Sequence, residues 1–258
     1  MILGHRLSEW CGHGPVLEQD IALSNMALDH LGQARFFYQF AAGRFNQFSP
    51  QEQKTCFSSP ALDQKLDSGK PLDEDDLAYL RDGWDFQNLL LVEQPNRDWA
   101  YTVTRSFFYD QFQILLYAAL ARKSPVEDIA AIAEKSLKEV RYHLNWSGEW
   151  MIRLGDGTEE SHRRIQQAVE DLCPFVDEIF SPSPWEKSWL ESEAGISVEE
   201  FREEYNRNVQ AILDEARLKW VASPWPRLGG KEGQHSEHLG YILAEMQYMQ
   251  RTYPQMQW

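Results

Sequence analysis

The stretch Glu139-Val140-Arg141-Tyr142-His143 sits in the middle of an amphipathic run from about Glu127 to Leu154, and its reading decides the fold. On a heptad, the run sets Ala130, Leu137, Leu144 and Met151 on one line and Ala133, Val140, Ser147 and Leu154 on the next. Ser136, His143 and Trp150 flank them. Such spacing is that of a helix with a wide inward face. His143 therefore points inward, and Val140 stands one turn before it on the same face. Helix bundles that hold two metal ions in the core use Glu-x-x-His at such a place, because side chains three apart project side by side. Here the imidazole is present and the carboxylate is replaced by valine.

Outward from this helix, Ser124-Pro125 separates it from a second long run, Arg97 to Arg122, whose inward stripe is Val103, Phe107, Asp110, Ile114, Tyr117 and Ala121. A third run, Val16 to about Gly43, carries Leu23, Met26, His30, Gln33, Phe37 and Phe40, with Pro15 suited to its first position. Met1 to Trp10 reads as a short helix ended by Gly12, and Leu72 to Glu93 as one or two more. Thr158 to Phe180 is helical with a kink or end near Pro174, because proline removes a helix donor. Val198 to Trp220, capped by Ser197, and Gln234 to Arg251 complete the set. Nothing alternates like a strand. The fold class is all-α: a four-helix bundle with additional flanking helices, one domain over residues 1–258. Residues 44–71 are polar and read as a long loop or insertion.

Composition limits the function. The chain has 258 residues, 43% of them hydrophobic, enough for a substantial core. A net charge of −15 argues against a basic field for nucleic acid. No apolar run is long enough for a membrane span and no signal segment is evident. Cys11, Cys56 and Cys173 are odd in number and far apart, as free thiols in a reducing cytoplasm would be. The expectation is a soluble cytoplasmic protein. The aromatics of Arg97–Arg122 occupy more than one helix face, so either a partner or the extra helices must cover them.

A carboxylate-bridged di-iron centre needs about four carboxylates and two histidines drawn from the four core helices. Two ferrous ions bring four positive charges into a low-dielectric core, and carboxylates must balance them. The inward polar residues here are His30, Gln33, Asp110 and His143. They resemble the geometry of such a site without its charge. The expected reading is a buried hydrogen-bonded cluster in which Asp110 pairs with His143 or His30. Literal Glu-x-x-His pairs elsewhere, Glu159/His162 and Glu232/His235, fall at helix starts, where capping and solvation explain them. His235-Ser-Glu-His238 is a better-spaced surface zinc candidate, read in the same way. Gly229-Gly-Lys-Glu-Gly233 precedes a helix but lacks the residues of a nucleotide loop.

Longer motifs carry a family resemblance. Residues 5–15 (HRLSEWCGHGP), 29–35 (DHLGQAR), 88–96 (NLLLVEQPN), 138–143 (KEVRYH), 229–240 (GGKEGQHSEHLG) and 244–251 (AEMQYMQR) resemble the C subunit of bacterial phenylacetyl-CoA epoxidase, in order and over nearly the whole chain. The resemblance implies a ferritin-like fold and a non-catalytic scaffold subunit of phenylacetate catabolism. The expected partner is the A subunit, which carries the di-iron centre and epoxidises the aromatic ring. Further subunits and a reductase drawing on NADPH complete the assembly. In the catalytic subunit, Glu stands where this chain has Val140, and Glu-x-x-His where it has His30 and Gln33. Asp110 matches a retained ligand carboxylate. His30, Gln33, Asp110, Val140 and His143 would thus be a vestigial metal site, with no catalytic residue, metal ligand or cofactor in this chain and no activity of the chain alone. The resemblance places Met1 inside the first helix, with that helix's carboxylate position ahead of it, and makes 44–71 longer than the family's usual connection. The rival readings are a free-standing ferritin-like oxidase using Asp110, His143 and His30, and an acyl-CoA-binding protein using Lys231.

Overall fold

The computed structural model describes all residues except Ser58, 192–194, 221–222, 254–255 and 257–258. Among the described residues there is no strand. The helices in chain order are α1 (Ile2–Ser8), α2 (Leu17–Phe45), α3 (Pro50–Gln53), α4 (Pro60–Asp67), α5 (Glu74–Tyr79) and α6 (Leu90–Glu93). They continue as α7 (Trp99–Lys123), α8 (Glu127–Gly155), α9 (Glu159–Leu172), α10 (Pro184–Glu191), α11 (Arg202–Glu215) and α12 (Glu237–Thr252).

The chain is an all-α helical bundle built on the α7–α8 hairpin. Ser124 and Pro125 stop α7 after Lys123, and the next helix returns antiparallel: Thr104 meets Met151, and Asp110 meets Ser147. The face of α8 that carries Ala133, Val140, His143, Ser147 and Met151 is buried, as its periodicity requires. Helix α7 is buried almost all round, with Ala100 through Phe108 in an unbroken buried run. The aromatics on its far side are covered from within the chain, by α9, α11 and the turn at Val198–Phe201. Tyr205 of α11, for example, donates to the Phe108 carbonyl at 3.1 Å. Extra helices, not a partner, therefore cover this surface.

Helix α2 lies along α8, and α1 packs on α2. A tryptophan cluster fastens these helices to α7: Trp99 makes edge contacts with Trp10, Trp146 and Trp150 at ring-centroid distances of 5.5, 5.6 and 5.3 Å. The Gln19 amide oxygen accepts from the indoles of both Trp146 and Trp150. Edge-to-face packing of this kind adds about 0.5–1.5 kcal/mol per pair beyond burial.

Three boundaries differ from the periodicity. Pro15 precedes the α2 cap Val16, so it ends the preceding turn instead of opening the helix. Asp98 caps α7 by accepting from the Tyr101 amide at 2.9 Å, which places Arg97 outside the helix. Ser197 makes no side-chain cap, and Val198–Phe201 is a 3-10 turn ahead of α11. Pro174 does end α9, as proline should. Residues 44–71 hold two short helices, α3 and α4, where the polar composition reads as loop. Leu62 is fully buried against Ala42, Phe45, Leu72 and Leu77, and Asn46 exchanges two hydrogen bonds with the Leu72 backbone. One buried leucine between the two helices is too sparse a signal for a periodicity argument.

Around α6 the chain ties a polar knot. The Glu93 carboxylate is fully buried and accepts from Asn88 Nδ2 (2.8 Å), His235 Nδ1 (2.6 Å), and the Ser236 amide (2.9 Å) and hydroxyl (2.7 Å). His235 Nε2 faces the Phe86 carbonyl at 2.7 Å, so both ring nitrogens face acceptors and the imidazolium form suits the site. Burial opposes that charge, but the Glu93 hydrogen bond and charge and the Phe86 carbonyl outweigh it and raise the His235 pKa. Arg6 donates to the Glu93 carbonyl at 2.9 and 3.0 Å. Glu178 accepts from the Leu90 and Gly230 amides at 2.6 and 2.7 Å. Gly230 is required there, because a Cβ would lie 2.3 Å from the Asn88 carbonyl.

Breaking this pair is expected to be costly. Glu93→Gln should lower unfolding free energy by about 3 kcal/mol in urea titrations, since it strands the partner charge. The pH dependence has a defined sign. His235 is raised in the folded state, so its stabilisation is full below the ordinary value of 6.5 and is lost as pH rises toward the folded pKa. His235→Gln should flatten the stability–pH curve in that window.

Candidate functional site

The inward polar residues of α2, α7 and α8 meet in the bundle core. His30, Asp110 and His143 are all buried, and one donor atom from each lies within 4.8 Å of the others. The His30 and His143 rings are 4.9 Å apart, and Tyr109 flanks His30 at 6.0 Å. Val140 is fully buried one turn before His143. Burial, then the neighbouring His143, push the His30 pKa well below its ordinary value, so His30 is neutral. Burial also lifts Asp110 to about 6, opposed by His143 and by the Ser147 hydrogen bond.

The pairing differs from expectation. Asp110 Oδ2 accepts from the Ser147 hydroxyl at 2.8 Å, one turn beyond His143 on α8, and Asp110 makes no hydrogen bond to either histidine. His143 Nε2 instead meets Asp29 Oδ2 at 2.9 Å. Asp29 is partly exposed, so solvent shares the cost of its charge. Within this cluster two buried atoms are left without a hydrogen-bond partner, Asp110 Oδ1 and His143 Nδ1.

Gln33 belongs to an adjoining network. Its carbonyl accepts from Gln113 Nε2 at 3.1 Å and from the Tyr117 hydroxyl at 3.3 Å, and its amide donates to Glu139 at 2.8 Å. Asp29, Gln113 and Glu139 are therefore site residues that an inward-stripe reading passes over. A usable signal was present: Asp29–Gln33 and Glu139–His143 are four apart, and that spacing shares a helix face as surely as three does.

The set does not fit two ferrous ions. Asp110 is the one carboxylate inside the cluster, Asp29 sits behind His143, Glu139 is held by the Gln33 amide, and a valine fills the fourth position. A cavity of about 680 Å³ reaches His30 and Gln33 and is walled by Phe37, Tyr109, Phe112 and Leu120. The other candidates resolve as structure. His235 is locked into the α6 knot, and His162 Nδ1 meets the Gly155 carbonyl at 2.7 Å. Lys231 is buried, with its ammonium 2.8 Å from Glu186, so it offers no charge to a phosphate.

A family model described as phenylacetic acid catabolic protein matches residues 1–258. The chain belongs to the phenylacetic acid catabolic protein family. It is also 40% identical over 258 residues to the C subunit of the 1,2-phenylacetyl-CoA epoxidase of Escherichia coli (strain K12), a match covering 100% of this chain and 94% of that protein. Of the segments carrying the family resemblance, 5–15, 88–96 and 229–240 converge on the α6 knot, whereas 29–35 and 138–143 supply Asp29, His30, Gln33, Glu139 and His143 to the core cluster.

A carboxylate placed at the valine position would have no fitting partner in the metal-free protein. Val140→Glu should destabilise the fold by about 2–4 kcal/mol in denaturant unfolding, and should not create a two-iron centre.

Proposed function

We propose that this chain is a non-catalytic scaffold subunit of a multicomponent phenylacetyl-CoA epoxidase, acting in phenylacetate catabolism beside a separate subunit that holds the di-iron centre. The observation that carries the reading is the likeness to an epoxidase C subunit along the whole chain, joined to a core in which the position one turn before His143 is a fully buried valine and not a carboxylate. A chain with this core has too little negative charge to balance two ferrous ions, so the oxygen chemistry falls to the partner. The electrons would reach that partner from a reductase of the complex using NADPH.

A scaffold contributes by binding. A surface that matches the competent form of a partner stabilises that form by mass action, without chemistry of its own. The stripe Leu17, Ile21 and Leu28 on α2 leaves apolar side chains in water at spacings of one helix face, and Tyr142 does the same on α8. These suit contact with another protein. With a net charge of −15 and no helix among the described residues long and apolar enough to cross a membrane, protein surfaces fit better than nucleic acid or lipid. The acyl-CoA-binding alternative loses its cation, since Lys231 is spent on Glu186.

Co-expression tests the reading. The chain should co-purify with the di-iron subunit of the same operon or genome, and the pair plus reductase should oxidise phenylacetyl-CoA at the expense of NADPH. The chain alone should consume no oxygen with that substrate. Two irons per chain together with oxygen consumption by the isolated chain would overturn it.

A further inference from the structure

We propose that the cavity of about 680 Å³ lined from α1, α2, α7 and α10 binds one neutral aromatic molecule that carries a hydroxyl group, with that hydroxyl donating to the side-chain carbonyl of Gln113. The proposal goes beyond the scaffold reading and does not rest on it.

The walls set the class of ligand. Six aromatic rings line the cavity: Phe37 from α2, Tyr109, Phe112 and Tyr117 from α7, and Trp185 and Trp189 from α10. A flat ring placed among them gains edge and offset contacts beyond simple burial. The volume is that of a small-molecule pocket, roughly 300–1,000 Å³. Gln87 and Trp185 are exposed, whereas Gln33, Gln113 and Tyr117 are buried, so the cavity runs from a mouth at the surface to a floor inside the bundle.

The floor sets the polar group. Gln113 is 3% exposed, and its amide nitrogen donates to Gln33 Oε1 at 3.1 Å and to the Tyr117 hydroxyl at 3.2 Å. Those bonds fix which end of the amide is which and leave Oε1 without a partner. Asn88, which also lines the cavity, repeats the arrangement: Nδ2 donates to Glu93 Oε1 at 2.8 Å, and Oδ1 has no partner. Buried carbonyl oxygens are seldom left without a donor, and an incoming O–H supplies one. Charge narrows the choice further. Among the lining side chains no cation is free, because Lys231 is paired with Glu186 at 2.8 Å, and burial together with His143 keeps His30 neutral. A carboxylate or phosphate on the same ring would meet carbonyl oxygens with no countercharge, so the ligand is neutral.

The test uses the full chain and three probes of one shape, para-hydroxybiphenyl, biphenyl and para-biphenyl carboxylate, compared by isothermal titration at neutral pH. One molecule of the hydroxyl probe per chain is expected. It should bind about 3–10-fold more tightly than biphenyl, the range that one hydrogen bond gives, and at least about 10-fold more tightly than the carboxylate. Leu116→Trp, which fills the cavity from α7, should abolish binding. Gln113→Leu should remove the preference over biphenyl while biphenyl itself still binds. Circular dichroism identifies any variant that fails to fold, and the wild-type ranking of the three probes decides the question without the variants. No saturable binding by wild type, a carboxylate bound as tightly as the hydroxyl probe, or a hydroxyl preference intact in folded Gln113→Leu would overturn the proposal. Co-purification with the di-iron subunit is read separately and tests the scaffold reading alone, so the two failures are distinct.

Discussion

A carboxylate taken out of water must be given partners, and most of this structure follows from how that requirement is met. Among the described residues, the acidic side chains of Asp76, Glu93, Asp110, Glu178 and Glu186 are buried. Glu93 is answered by an imidazole, amides and a hydroxyl, Glu178 by two backbone amides, and Asp76 and Glu186 by the ammonium groups of Lys65 and Lys231. Several of those partners come from distant parts of the chain. Glu93 and His235 are 142 residues apart, and their meeting fixes the segment before α12 against α6. Leaving one such charge unpaired would cost several kcal/mol, a large share of the net stability of a folded domain. The irregular segments around α6 are therefore held as firmly as the helices.

Asp110 is the exception among them. One oxygen is satisfied by Ser147 and the other is not, and burial raises its pKa to about 6. The cluster around it has the directions of a metal-binding core and little of its charge. Val140, fully buried one turn before His143, offers no anionic donor and fills that place with apolar volume. Gln33 then joins Glu139 to Gln113 and Tyr117 through a neutral amide.

The long helices were legible because their inward faces repeat. The buried positions of α8 follow the line Ala133, Val140 and Ser147 with its flank Ser136 and His143, whereas Ala130, Leu137 and Leu144 of the other line are only half-buried, and Pro125 and Pro174 end helices where proline must. The core cluster was legible only in part. His30, Gln33, Asp110 and His143 lie on those lines, but Asp29 and Glu139 stand one residue beside them, partly exposed, and reach the core by side-chain length. A stripe model has no place for a flanking side chain that turns inward. The short helices at 50–53 and 60–67 were hidden for another reason. Each is under three turns, and Leu62 is the one buried side chain between them. The His235-Ser-Glu-His238 spacing looked like a surface metal pair because sequence gives no view of Glu93 approaching from elsewhere in the chain.

The location of the motifs bears on what a family match means for a subunit of this kind. Segments 5–15, 88–96 and 229–240 contain histidines, arginines, glutamates and glycines that could each be mistaken for catalytic groups. In the structure Arg6, Glu93, Asn96, Gly230 and His235 satisfy one another and the backbone around α6. A knot of this sort tolerates few substitutions, since any member removed leaves a buried donor, acceptor or charge behind. The folded surface formed by α1, α6 and the segment before α12 depends on it. The core cluster is under no such requirement. There Gln33 is neutral and Val140 apolar, and the polarity at His30, Asp110 and His143 is what separates this core from an ordinary packed bundle.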